Sequence, residues 1–126
     1  MDQDIYDRGR EIRTEVLGAE YVRNAAAGAD DFSKPLQDLV TEYCWGAVWG
    51  RDGLPRQTRS MLNLAMIATL NRPHELRTHI RGALNNGVSR EEIREVFLQV
   101  AIYAGVPAAV DSFRIAREVF EELDNA

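Results

Sequence analysis

The sequence predicts an all-helical fold, a single compact domain of about six helices spanning residues 1–126. Three observations carry this expectation. Apolar residues recur at three- and four-residue spacing, glycine and proline interrupt the pattern at helix-length intervals, and the period-two runs that mark strands are absent. No internal repeat, low-complexity tract or interdomain linker divides the chain.

Taken in order, residues 3 to 17 carry Ile5, Ile12, Val16 and Leu17 among charges, with Gly18 placed where a helix would end. This reads as a first, mostly surface helix, followed by a short polar, alanine-rich connector. In "PLQDLVTEYCWGAVWG", Leu36, Leu39, Val40, Tyr43 and Ala47 fall at helical spacing before Gly50 and Gly53, and Trp45 and Trp49 share a face. Pro55 suits the first turn of "RQTRSMLNLAMIATLN", which is apolar nearly all round from Met61 to Leu70 and is expected to be central. Pro73 opens a further helix striped by Leu76, Ile80, Ala83 and Leu84, and "NNG" closes it with residues that tolerate a left-handed cap. Ser89 and Glu92 form a capping-box pattern that starts a helix through about Ala104. Gly105 and Pro107 then precede a last helix, with Val110, Phe113, Ala116, Val119 and Phe120, ending near Leu123.

Composition limits the function classes. Apolar residues make up 45% of the 126 and charged residues 28%, and no run of about 18 uncharged apolar residues occurs, so neither disorder nor a membrane span is expected. A net charge of −5 opposes nucleic-acid binding, which needs clustered cations. The N-terminal "MDQDIYDRGREIR" lacks the apolar core of a secretion signal, which makes a cytoplasmic location the expectation. One cysteine, Cys44, excludes an intrachain disulfide or a CxxC pair; flanked by Tyr43 and Trp45, it reads as buried packing. In the helix from 90 to 104, Ile93, Val96, Phe97 and Val100 occupy one side while Leu98 and Ile102 lie on another, so the excess apolar surface predicts a homo-oligomer.

The chemistry-bearing candidates cluster in "LNRPHELRTHIRGALNNG". At about 100° per residue, Glu75 and His79 lie on neighbouring turns of one face, beside the core stripe of Leu76, Ile80 and Ala83. Such a pair can be a proton-handling centre or an ordinary i,i+4 ion pair, and spacing alone favours the ion pair. His74, Arg77 and Arg81 project away from His79, whereas Arg72 lies at the helix entrance on a compatible side. No third ligand accompanies Glu75 and His79, so no metal is expected. Neither a nucleophilic triad signature nor a phosphate or dinucleotide loop is present. Arg59, near the start of the central apolar helix, fits either a carboxylate clamp or a side chain snorkelling to the surface. Trp45 and Trp49 read as core or interface anchors.

Residues 42 to 113, with "TRS", "LNR", "HELRTHIRGALNNG" and "YAGVPAA", resemble the carboxymuconolactone decarboxylase family, and "YDRGREIRTEVLG" is similar to that family's first helix. The resemblance implies an alkylhydroperoxidase-like helical fold assembled as a homotrimer or homohexamer, without metal or organic cofactor. In the redox branch of that superfamily a C-x-x-C-x-x-x-H motif holds a cysteine pair; the matching positions here are Arg72 and Glu75, so only the histidine is kept and peroxide reduction by that route is disfavoured. The implied reaction is decarboxylation of 4-carboxymuconolactone, a lactone dicarboxylate, to the beta-ketoadipate enol-lactone of protocatechuate breakdown. That substrate accepts the electron pair into its own lactone carbonyl. By hypothesis, Arg59 and Arg72 then hold carboxylates, His79 stabilises the oxyanion or protonates carbon, and Glu75 orients His79 or donates the proton. Ala104 stands where family members often carry cysteine, and Asp111 where some carry histidine. These departures leave two further readings: a cysteine-independent relative acting on another small lactone or carboxylic acid, and a non-enzymatic helical binding oligomer.

Overall fold

The computed structural model describes all 126 residues as seven α-helices without strands, one of them continuing into a π-helical segment. The helices pack as two compact units, Met1–Arg56 and Gln57–Ala126. No helix is long and apolar enough to cross a membrane.

The first unit contains α1 (Gln3–Leu17), α2 (Ala19–Ala27) and α3 (Lys34–Leu39), which runs on as the π segment Val40–Val48. Asp2 caps α1 by accepting from the amides of Asp4 and Ile5 at 3.0 and 3.2 Å, and Gly18 ends it at φ +95°, as the sequence pattern requires. The expected connector is instead α2. Its alanines favour helix, but it buries no residue, so no apolar stripe marked it in the sequence. The core of this unit is Ile12 and Val16 of α1 against Trp45 and Trp49, whose rings stack at 4.9 Å between centroids. This makes the tryptophans core anchors. Cys44, expected to be buried, is exposed: Trp45 takes the inner face, and the helical winding points the preceding side chain away from it.

The second unit is built from α4 (Arg56–Leu70, entered from the last residue of the first unit), α5 (Pro73–Asn85), α6 (Arg90–Tyr103) and α7 (Val106–Asp124). Its core joins Leu64 and Ala68 of α4, Leu76, Ile80 and Ala83 of α5, Phe97 and Val100 of α6, and Ile115 and Val119 of α7. Phe97 meets Phe113 edge-on at 6.0 Å. The capping box of α6 is formed in both directions, with Glu92 N donating to Ser89 Oγ at 3.0 Å and Ser89 N to Glu92 Oε1 at 2.9 Å. The expectation that α4 is central holds for one face only. Leu64 and Ala68 are buried, while Leu62, Met66 and Leu70 on its other side stay exposed because nothing in the chain covers them.

Candidate active site

Two residues separate α4 from α5, and the backbone reverses there through Asn71 at φ +57°, a left-handed conformation that asparagine adopts more readily than most residues. Arg72 follows in a non-helical conformation (φ −117°, ψ 80°), as steric demand from Pro73 requires, and Pro73 starts α5. Glu75 then falls in the first turn of α5, where an acidic side chain complements the helix dipole.

Each face of α5 has a distinct role. Leu76, Ile80 and Ala83 enter the core. Arg77 pairs with Glu118 and, at 3.1 Å, with Glu122 of α7, and Arg81 also pairs with Glu122. These arginines are committed to α7, in agreement with the helical projection that set them apart from His79. What remains is a strip in the first half of the helix: Arg72 and Glu75, both exposed, and half-buried His79. His74 is exposed.

Arg59 lies half-buried in the first turn of α4, its Nε buried without a hydrogen-bond partner. The adjoining Ser60 accepts a 2.9 Å hydrogen bond from Asn86, the residue capping the far end of α5. The short connection at 71–72 and this bond at the opposite end make α4 and α5 an antiparallel pair. At 1.5 Å per residue, Asn86 lies roughly 16 Å along the axis from Glu75 and roughly 10 Å from His79. Arg72 therefore stands at the entrance of α5, Glu75 and His79 lie along its first half, and Arg59 lies toward the other end of the helical pair.

The two departure positions differ in setting. Ala104 lines an apolar groove of about 700 Å³ together with Met61, Ala65, Val96 and Val100. Asp111 is exposed on α7, 3.8 Å from Arg114. No group of three or more His, Cys, Asp or Glu side chains is arranged to hold a metal ion. Although Cys44 is exposed as a residue, partial burial of its sulfur pushes the thiol's pKa up, only partly opposed by Arg13, so it stays protonated at neutral pH and is a poor nucleophile.

One functional-type residue escaped the sequence reading. Arg13 is the only charged residue of the chain that is buried. Its signal was present but negative: residues 9, 10, 16 and 17, one turn away on either side, are Gly, Arg, Val and Leu, so no acid of its own helix can pair with it.

The family model for carboxymuconolactone decarboxylases matches residues 34–118, a span containing Arg59, Arg72, Glu75 and His79. The chain is 42% identical over 122 residues to 4-carboxymuconolactone decarboxylase of Acinetobacter baylyi, covering 97% of this chain and 91% of that protein. It is equally 42% identical over 123 residues to nitrosuccinic acid decarboxylase npaB of Metarhizium robertsii, covering 98% and 86%. With a family match across both compact units and identity along nearly its whole length, the chain belongs to the carboxymuconolactone decarboxylase family.

Proposed function

We propose that this protein is a carboxy-lyase that needs no cofactor, acting on a small dicarboxylate that carries its own electron acceptor, with 4-carboxymuconolactone as its substrate. The observation that carries this reading is the 42% identity, over 97% of the chain, to a 4-carboxymuconolactone decarboxylase. The second relative is named for another acid, and the two named substrates share a chemical logic. Each has two carboxylates and a group able to accept the electron pair released with carbon dioxide: the lactone carbonyl reached through the ring double bond in one, the nitro group in the other.

In the lactone, the bond from the ring carbon to its carboxylate breaks and carbon dioxide departs. The electron pair moves through the ring to the carbonyl oxygen, and a proton returns to the carbon alpha to that carbonyl. The protein then holds the remaining carboxylate, stabilises the oxyanion and delivers the proton. We assign the first task to Arg72 and Arg59, preferentially on the acetate arm, because a tight grip on the departing carboxylate stabilises the ground state. His79 faces the oxyanion or the carbon to be protonated, and Glu75 orients His79 or supplies the proton. In the isolated chain Glu75 is exposed, so a closed site around it needs ligand or a second copy to cover the strip. A homotrimer or homohexamer supplies such a cover and brings arginines from another copy within reach.

Exposed Glu75 and the remote Arg59 favour a second reading, a helical oligomer that binds without catalysis. Assaying the purified protein with 4-carboxymuconolactone and with nitrosuccinate, for carbon dioxide and product, separates the two. We expect lactone turnover in the wild type and a drop of about 10²–10⁴-fold in Glu75→Gln and His79→Ala, the usual scale for a general acid or base. Turnover of neither acid overturns the enzymatic reading. Full activity in both variants removes the pair from the mechanism.

A further inference from the structure

We propose that a cleft within the first compact unit, built around Arg13, binds a small organic monocarboxylate. The cleft has a volume of about 700 Å³ and is lined entirely by residues between Tyr6 and Thr41. Arg13 lies in its wall and is only 9% exposed. Burying a charge is costly unless an opposite charge or a full set of hydrogen bonds compensates it, and here neither is complete. No carboxylate pairs with the guanidinium. One nitrogen, Nη1, donates to Gln37 Oε1 at 3.1 Å, Tyr21 lies beneath the guanidinium at 5.9 Å from its ring centre, and Nε is buried with no partner. The edge formed by Nε and Nη2 thus carries no internal acceptor. Nε is closed off in the unliganded chain, so a carboxylate reaches this edge through Nη2 first and gains the second, parallel N–H bond once the neighbouring side chains yield.

The other charges of the cleft favour a monoanion. Lys34 is taken by Asp38 at 2.7 Å, and Asp30 accepts from Ser33 N at 2.9 Å, so these groups are internally satisfied. Arg10 and Arg23 add positive charge to the lining and Asp31 adds a negative one. Four cations against three carboxylates leave one net positive charge, in a chain whose overall charge is −5. A dianion such as phosphate meets three carboxylates without enough compensation, whereas a monocarboxylate balances the site. Val22, Ala26 and Ala29 contribute apolar wall for an organic body.

The test uses the full chain with benzoate as probe and inorganic phosphate as comparison, read by calorimetry, by melting temperature and by the Arg13 Nε–H resonance. Benzoate is expected to bind, shift that resonance and raise the melting temperature, with phosphate at least tenfold weaker. Arg13→Lys, which keeps the charge but loses the fork, is expected to weaken benzoate at least tenfold. Arg13→Met, which keeps the apolar stem, is expected to melt no lower than unliganded wild type and to gain nothing from benzoate. Exposed Arg23→Gln provides a variant outside the packed interior and is expected to weaken benzoate several-fold. An unmoved Arg13 resonance, phosphate binding as strong as benzoate, or unchanged affinity in Arg13→Lys overturns the proposal. So does a lowered melting temperature of Arg13→Met combined with no benzoate effect on wild type, which assigns Arg13 to packing alone.

Discussion

Asn86 donates a 2.9 Å hydrogen bond to Ser60, tying the cap of α5 to the first turn of α4 one residue from Arg59. Ser60 is buried and Asn86 half-buried, so removing the hydroxyl leaves an amide N–H without its partner in a partly dry site. Ser60→Ala is expected to cost about 1–3 kcal/mol, the usual penalty of an unsatisfied buried donor. Urea denaturation reads it, and an unchanged midpoint would show that water replaces the hydroxyl.

The candidate arginines should separate kinetically. Arg72 enters α5 beside Glu75, whereas Arg59 lies toward the far end of the helical pair. If Arg59 holds only the non-reacting arm, Arg59→Ala is expected to raise KM by about tenfold or more with kcat little altered, the pattern of lost uniform binding. Arg72→Ala is expected to lower kcat as well if Glu75 and His79 handle the proton as proposed, since Arg72 stands at the helix entrance beside Glu75. The same KM-only pattern in both variants would place both arginines on the spectator carboxylate.

Helix boundaries were legible because proline, glycine and the capping box enforce them locally. Pro73, Gly18 and the Ser89–Glu92 reciprocal pair act where the sequence placed them. That Glu75 and His79 stand one turn apart on α5, with Arg72 at its entrance, follows from helix spacing alone, whereas their roles do not. What escaped depended on packing between elements. Helix α2 buries nothing and leaves no stripe, Cys44 is turned outward by its neighbour Trp45, and the setting of Arg59 depends on the bond between its neighbour Ser60 and Asn86, 26 positions further on. Arg13 is partly the same kind of case: the lack of an acid on its own helix is visible in the sequence, but its burial appears only in the packed structure.

Close approach of α1 and the π segment rests on two glycines. A methyl group at Gly9 would overlap the Thr41 carbonyl and stand 2.7 Å from Gly46 N, and one at Gly46 would overlap the Ile5 carbonyl. Backbone cannot yield as a flexible side chain does, so Gly9→Ala and Gly46→Ala are each expected to destabilise by about 1–3 kcal/mol or more, despite alanine's higher helix propensity. Alanine at exposed Gly28, where the nearest atom lies at 3.4 Å, serves as the tolerated control. Denaturation midpoints that rise or stay level in Gly9→Ala and Gly46→Ala would show that the two backbones can move apart enough to admit a methyl group.

The acid limb of stability should follow two carboxylates on α7. Hydrogen bonding from Arg77 holds Glu118 below the ordinary carboxylate range, and Arg90 does the same for Asp124. Lowered folded-state values mean that the unfolded chain binds protons first as pH falls. The stabilisation is therefore complete above the unfolded-state values and is lost as pH drops through them toward the folded ones. Asp124 is exposed and Glu118 only half-buried, so the effect should be modest and weaken in 1 M salt. Glu118→Gln and Asp124→Asn are expected to flatten the fall in melting temperature below about pH 4, where ordinary carboxylates titrate. An acid limb as steep as wild type in both variants would assign it to other carboxylates.

The apolar side of α6 gives a test of assembly that does not depend on catalysis. Ile102 is 78% exposed and Leu98 47% exposed, while Ile93, Phe97 and Val100 on the opposite side are buried. Together with Leu62 and Met66 of α4, exposed on the same unit, these side chains present more apolar surface than one chain covers. A second copy covering them matches the proposed oligomer, and a charge introduced there faces an uncompensated desolvation cost. Light scattering is expected to give an oligomeric mass for wild type and a smaller one for Ile102→Glu and Leu98→Glu, with helical circular dichroism retained. If the neighbouring copy covers Glu75, activity falls in parallel with the loss of assembly. A monomeric variant with full turnover would place the whole site within one chain, whereas a monomeric wild type would require another cover for this face.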